Sequence, residues 1–100
     1  MKHVNKADEM FKNISTAYSD EQIKKIPELQ KILLMYGAEL EKTGDFKLVA
    51  AKLCRAIEQE SLYKHFDLPK ALMTLYHQLK PEARKYEAVM VSAMMTPFWL

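Results

Sequence analysis

Residues 27–46 read PELQKILLMYGAELEKTGDF, and the order of signals in this stretch decides the fold. Pro27 has no N–H and a fixed φ, which suits the first turn of a helix. Leu29, Ile32, Leu33, Tyr36 and Leu40 then recur at three- and four-residue steps, one stripe of a helix with 3.6 residues per turn. Leu34 and Met35 widen the apolar surface beyond that stripe, which predicts a central helix. Gly44 can take the left-handed conformation that closes a helix C-terminus. Asp45 follows at once and can cap the next helix by accepting from its free N–H groups. The stretch therefore predicts a helix over 27–42, a tight turn, and a second helix returning from Phe46.

The same reading extends outward in both directions. Upstream, Val4, Ala7, Phe11, Ile14 and Tyr18 place one face of a first helix that stops near Tyr18. Ser19 and Gln22 have the spacing of a capping box, with Asp20 and Glu21 in the first turn, where the helix dipole favours negative charge. A short helical turn over 20–25 follows. Downstream, the helix from Phe46 to about Lys64 directs Val49, Leu53, Ala56 and Ile57 inward, with 60–62 continuing that face. Lys47, Lys52, Arg55, Glu58 and Gln59 are directed to solvent, and Glu60 is spaced to pair with Lys64. Asp67 before Leu68-Pro69 marks a fourth start, continued by Leu72, Leu75, Tyr76 and Leu79. Pro81 is expected to bend or restart the chain, residues 82–95 to form one more helical stretch, and Pro97 to stop it. Short connections near residues 19, 44 and 66 favour antiparallel neighbours. The expectation is one all-α domain over 1–100: an antiparallel up-and-down four-helix bundle with an extra C-terminal helical, apolar tail over 81–100.

Composition narrows the function classes. Two glycines in 100 residues argue against an all-β fold with many tight turns. The 15 basic and 13 acidic side chains nearly cancel, leaving a net charge of +2 and no concentrated basic stripe, so no nucleic-acid partner is expected. The Gly44 turn into Lys47, Lys52, Arg55 and Gln59 faintly matches a helix-turn-helix, but Glu58 and Glu60 share that helix and would repel phosphate. Cys54 is the only cysteine, so no internal disulfide can form. With no apolar secretion signal in MKHVNKADEM, it points to a cytoplasmic location. Cys54 lies in an apolar-periodic run and reads as a small buried hydrophobe. His3, His65 and His77 do not form the three- or four-residue pair of a helical zinc site. Glu39 and Glu41, like Glu58 and Glu60, are two apart and point to different sides of a helix. There is no glycine-rich phosphate loop and no nucleophile elbow. Neither enzyme chemistry nor a cofactor is expected.

The C-terminus is the unusual part. Residues 88–100, AVMVSAMMTPFWL, carry no charged side chain, and ten of the thirteen are apolar. A membrane span needs about 20 apolar residues, so this segment is too short to cross. Val89, Val91 and Met94 are expected in the core. Phe98, Trp99 and Leu100 either cap the open end of the bundle or remain available to a partner or to a membrane interface, where aromatic rings are favoured. The candidate partner-binding residues are Lys85, Met90, Met94, Met95, Phe98, Trp99 and Leu100.

From about Ser19 to Lys80 the order of elements resembles the immunity proteins of class II bacteriocins, the enterocin A immunity type. The features that carry the resemblance are the helix ending Glu39-Leu40-Glu41-Lys42 and the loop at Gly44. They continue in the long helix through Leu53, Ile57 and Tyr63, and in Leu68-Pro69-Lys70-Ala71-Leu72 running to Tyr76. The resemblance implies a left-turning antiparallel four-helix bundle, no catalysis, and protection of a cell from a pore-forming peptide. It implies as partner the mannose phosphotransferase permease with bound bacteriocin, engaged from the cytoplasmic side, with possible peripheral membrane contact. It assigns the choice of bacteriocin to the C-terminal half, here the fourth helix and 81–100. Many relatives end in a polar tail, which this chain lacks. The alternative function is a small helical regulator or adaptor that uses its apolar C-terminus for protein binding or dimerisation.

Overall fold

In the computed structural model, the backbone is described for residues 5–64 and 67–98 and the side chains for 5–64 and 67–86. The chain forms α1 (Lys6–Tyr18), a one-turn α2 (Glu21–Lys24), α3 (Pro27–Thr43), α4 (Phe46–Tyr63) and α5 (Lys70–Phe98). The four long helices close a ring in which α1 packs on α3, α3 on α4, α4 on α5, and α5 on α1, with α2 against α3. Contacts run in opposite directions along each pair. Glu28 at the start of α3 meets Lys64 after the end of α4, whereas Glu39 near the end of α3 meets Lys52 near the start of α4. Lys6 likewise reaches Glu82, while Thr16 and Ala17 line a cavity with Ala71 and Thr74. The fold is an all-α antiparallel four-helix bundle.

The turn at Gly44 follows the sequence expectation. Gly44 has φ 71° and donates its N–H to the Leu40 carbonyl at 2.7 Å, and Asp45 Oδ1 accepts from Leu48 N–H at 3.2 Å. The core is made by Met10, Ile14 and Ala17 of α1, Ile23 of α2, Leu29, Leu33 and Leu40 of α3, and Val49, Leu53, Cys54 and Ile57 of α4. Leu72, Leu75, Leu79 and Ala83 of α5 complete it. Cys54, at 2% exposure, packs as the small hydrophobe expected of it.

Several expectations are corrected. In α1 the buried face turns by one position, so Met10 is inside and Phe11 lies at 36% exposure beside α3. At the start of α2, Asp20 replaces Ser19 as the cap: its Oδ2 accepts from Gln22 N–H at 3.0 Å. Ser19 instead closes α1, donating its N–H to the Ser15 carbonyl at 3.0 Å. Helix α3 is not central, because Leu34 and Met35 are 60% and 51% exposed on its outer surface. At the end of α4, Leu62 is 67% exposed and does not continue the inward face. Lys64 bridges to Glu28 at 3.6 Å, while the buried Glu60 Oε1, one turn before it, has no hydrogen-bond partner.

The largest correction concerns α5. Residues 70–98 form one helix, running through Pro81 without a break. Proline in a helix interior removes one backbone bond and crowds the preceding turn. Here Pro81 and His77, whose carbonyl loses its partner, are both exposed, so water can take that carbonyl. The helix begins at the Pro69 carbonyl, which accepts from Leu72 and Met73 N–H at 3.0 and 3.2 Å, two residues beyond the expected start at Asp67. It also runs through Pro97, expected to stop it, to Phe98, the last described residue. At 1.5 Å per residue, α5 is about 43 Å long against about 27 Å for α4. Glu58 of α4 faces Tyr76 and Lys80 of α5, and on that alignment Phe46 lies level with about residue 90. About two further turns of α5 then have no α4 alongside.

Candidate interaction surface

The most structured polar feature is on the α4–α5 seam. Tyr76 and Lys80, one turn apart on α5, both reach Glu58 of α4: the Tyr76 hydroxyl donates to Glu58 Oε2 at 2.5 Å and Lys80 Nζ donates to the same oxygen at 3.2 Å. Lys80 Nζ also lies 5.3 Å from the centre of the Tyr76 ring, in cation–π range. The hydrogen bond from Tyr76, then the one from Lys80, hold the Glu58 carboxyl below its ordinary value. The same Glu58 contact pushes the Tyr76 phenol up, and Tyr76 followed by Glu58 raises Lys80. The carboxylate stays ionised and its charge is met locally.

Beside this cluster opens a groove of about 390 Å³, lined by Ile57, Glu58, Ser61, Leu62, Met73 and Tyr76. Leu62 and the neighbouring Tyr63, 67% and 80% exposed, extend apolar surface along its α4 edge. Glu58 is the one ionisable carboxylate in the lining, and it is already paired.

A second groove of about 330 Å³ lies across the bundle between α1 and α3, lined in part by Phe11, Tyr18, Leu34, Gly37 and Ala38. At Gly37 a Cβ would sit 3.5 Å from Ile14 Cγ2 and 3.8 Å from Phe11 Cε1, ordinary contact distances, so the two helices leave room for a methyl group there.

Of the sequence candidates, Lys85 is an exposed residue of α5, its Nζ 3.7 Å from Glu82 Oε2, which Lys6 also reaches at 3.2 Å. Met90, Met94, Met95 and Phe98 belong to the far end of α5, and their side chains lie outside the described residues, as do those of Val89 and Val91. Trp99 and Leu100 lie outside them altogether, as do His3, Val4 and His65. Sequence reasoning missed the Glu58–Tyr76–Lys80 cluster and both grooves. Tyr76 and Lys80 stand at i,i+4 on one face and Glu58 was expected outside, but nothing local gave the cross-helix register that joins them. Among the described residues, no group of three or more His, Cys, Asp or Glu could hold a metal ion, and no helix is long and apolar enough to cross a membrane.

These features define a small helical bundle with two grooves and a last helix longer than the others. Residues 5–84 match the bacteriocin immunity protein family, and the chain belongs to that family. No curated protein and no solved structure matches the chain. The matched region ends at residue 84, while α5 continues to Phe98.

Proposed function

We propose that this protein is a non-catalytic cytoplasmic immunity factor that protects its cell from a class II pore-forming bacteriocin by binding the peptide together with its membrane receptor. The receptor is the mannose phosphotransferase permease, and the bound protein holds the lethal pore shut from the inner face. Family membership over residues 5–84 is the observation that carries the reading. In this reading the bundle is the scaffold and the far half of α5 meets the target, through Lys85, Met90, Met94, Met95, Phe98, Trp99 and Leu100. An uncharged, apolar terminal segment suits contact with a receptor at the membrane surface.

The test is expression in a bacteriocin-sensitive strain, scored for survival against a panel of class II peptides. Protection confined to peptides that act through the mannose permease is expected, with the permease co-purifying with this protein only when peptide is present. Sensitivity to every peptide in the panel would sink the immunity reading. Protection without co-purification would sink only the permease as its target.

A further inference from the structure

Two features of the chain match each other: an open apolar groove on the α4–α5 seam, and an uncharged helical end that extends past the bundle. We infer that the groove formed by Ile57, Ser61, Leu62, Met73 and Tyr76 receives the uncharged C-terminal segment of a second copy of this chain, and that the exchange is reciprocal, giving a two-fold dimer.

Reach decides between the chain's own segment and a second copy's. Tyr76 and Phe98 are on one continuous helix, 22 residues apart and so about 33 Å along its axis. The segment cannot enter its own groove without unwinding α5. An α5 laid antiparallel along the seam of another copy brings Phe98 level with Met73, and the same two-fold places its partner's segment in the first groove. Isologous pairing of this kind closes at two copies, leaving neither groove nor segment unused.

Charge agrees with the assignment. Residues 88–100 bring no charged side chain, so they suit a groove whose one carboxylate, Glu58, is already met by Lys80 and by the Tyr76 hydroxyl. A cationic or anionic peptide would find no uncompensated partner in the lining. Arg84 and Glu87 flank the point where the two helices would cross, and in this register each stands level with its opposite charge on the other copy. The area is sufficient too. Phe98 and Trp99 can together remove about 300–500 Å² from water. With the groove wall and the reciprocal contact, that approaches the roughly 800 Å² per partner of a standard interface.

The inference does not depend on the immunity reading and is tested on the purified full chain. Sedimentation should give a dimer at sub-millimolar concentration. Leu62→Glu, at an exposed position on the groove's edge, should give a monomer with unchanged helicity, as should removal of residues 97–100. A monomeric full chain, or a dimer that survives both changes, would overturn the assignment. Disulfide trapping adds the geometry. Chains carrying Met73→Cys mixed with chains carrying Phe98→Cys should form a cross-linked heterodimer under mild oxidation. In the double variant, a cross-link within one chain would show that the segment folds back on its own bundle, and would also overturn the proposal.

Discussion

The two halves of α5 share one helix but not one kind of environment. Over 70–83 the helix is held on two sides: Leu72, Leu75, Leu79 and Ala83 are buried, Tyr76 and Lys80 tie it to α4, and Glu82 ties it to α1. Beyond residue 87 the charged side chains disappear, the family match has already ended, and α4 runs out. The first half is shaped by packing against its own chain. The second has the composition of a core, yet α4 lies alongside it only as far as about residue 90. A backbone can thus be continuous where the physical role is not.

That contrast can be broken at four places in the bundle, each of which should change stability with protection following only the amount of folded protein. Leu53→Ala, at a fully buried position of α4, should cost about 2–5 kcal/mol by chemical denaturation. A cost below about half a kcal/mol would place Leu53 at the surface. Gly44→Ala should cost about 1–2 kcal/mol although nothing lies within 4 Å of the new methyl group, because φ 71° is strained for any residue with a Cβ. Gly37→Ala should have the opposite sign. Its Cβ would meet Ile14 and Phe11 at ordinary contact distances, so relief of glycine's entropy cost in a helix should stabilise by about 0.5–1 kcal/mol.

The smallest effect belongs to the seam. Tyr76→Phe should cost about 0.2–1 kcal/mol at neutral pH, because Glu58 is half exposed and solvent weakens the contact. The folded-state pKa of Glu58 is depressed, so its contribution is present above the unfolded value near 4.3 and is lost as pH falls through the lower folded value. Denaturation of wild type and Tyr76→Phe across pH 7 to 2 should therefore show two curves converging at the acid end. A difference that persists there would mean that Tyr76 acts by packing alone.

Much of this contrast could be read from the sequence. Period and caps located α1, α3 and α4, and the stop at Gly44 with the start at Asp45 was correct to the residue, since each signal is local. The failures were those of rotation and register. Whether Met10 or Phe11 faces inward in α1 depends on how α1 is rotated against α3 and α5, which no pattern within α1 records. Leu34, Met35 and Leu62 are apolar yet exposed, and no local pattern distinguishes a core leucine from one that edges a groove. The restart expected at Pro81 failed for a similar reason. Proline's cost is bounded when the freed carbonyl faces water, and the packing of Leu79 and Ala83 on either side carries the helix through. The uncharged end was legible as an anomaly, and its place on α5 emerged only with the fold.

In the proposed function the bundle supports and the far end of α5 recognises. Removing Pro97 to Leu100 tests it most directly, with protection in a sensitive strain and thermal melting of dilute, monomeric protein measured side by side. Loss of protection with an unchanged melting temperature and unchanged helicity is the expected result. A clear fall in melting temperature, with protection declining only in step with the folded fraction, would contradict the claim and return Phe98, Trp99 and Leu100 to the core of their own bundle.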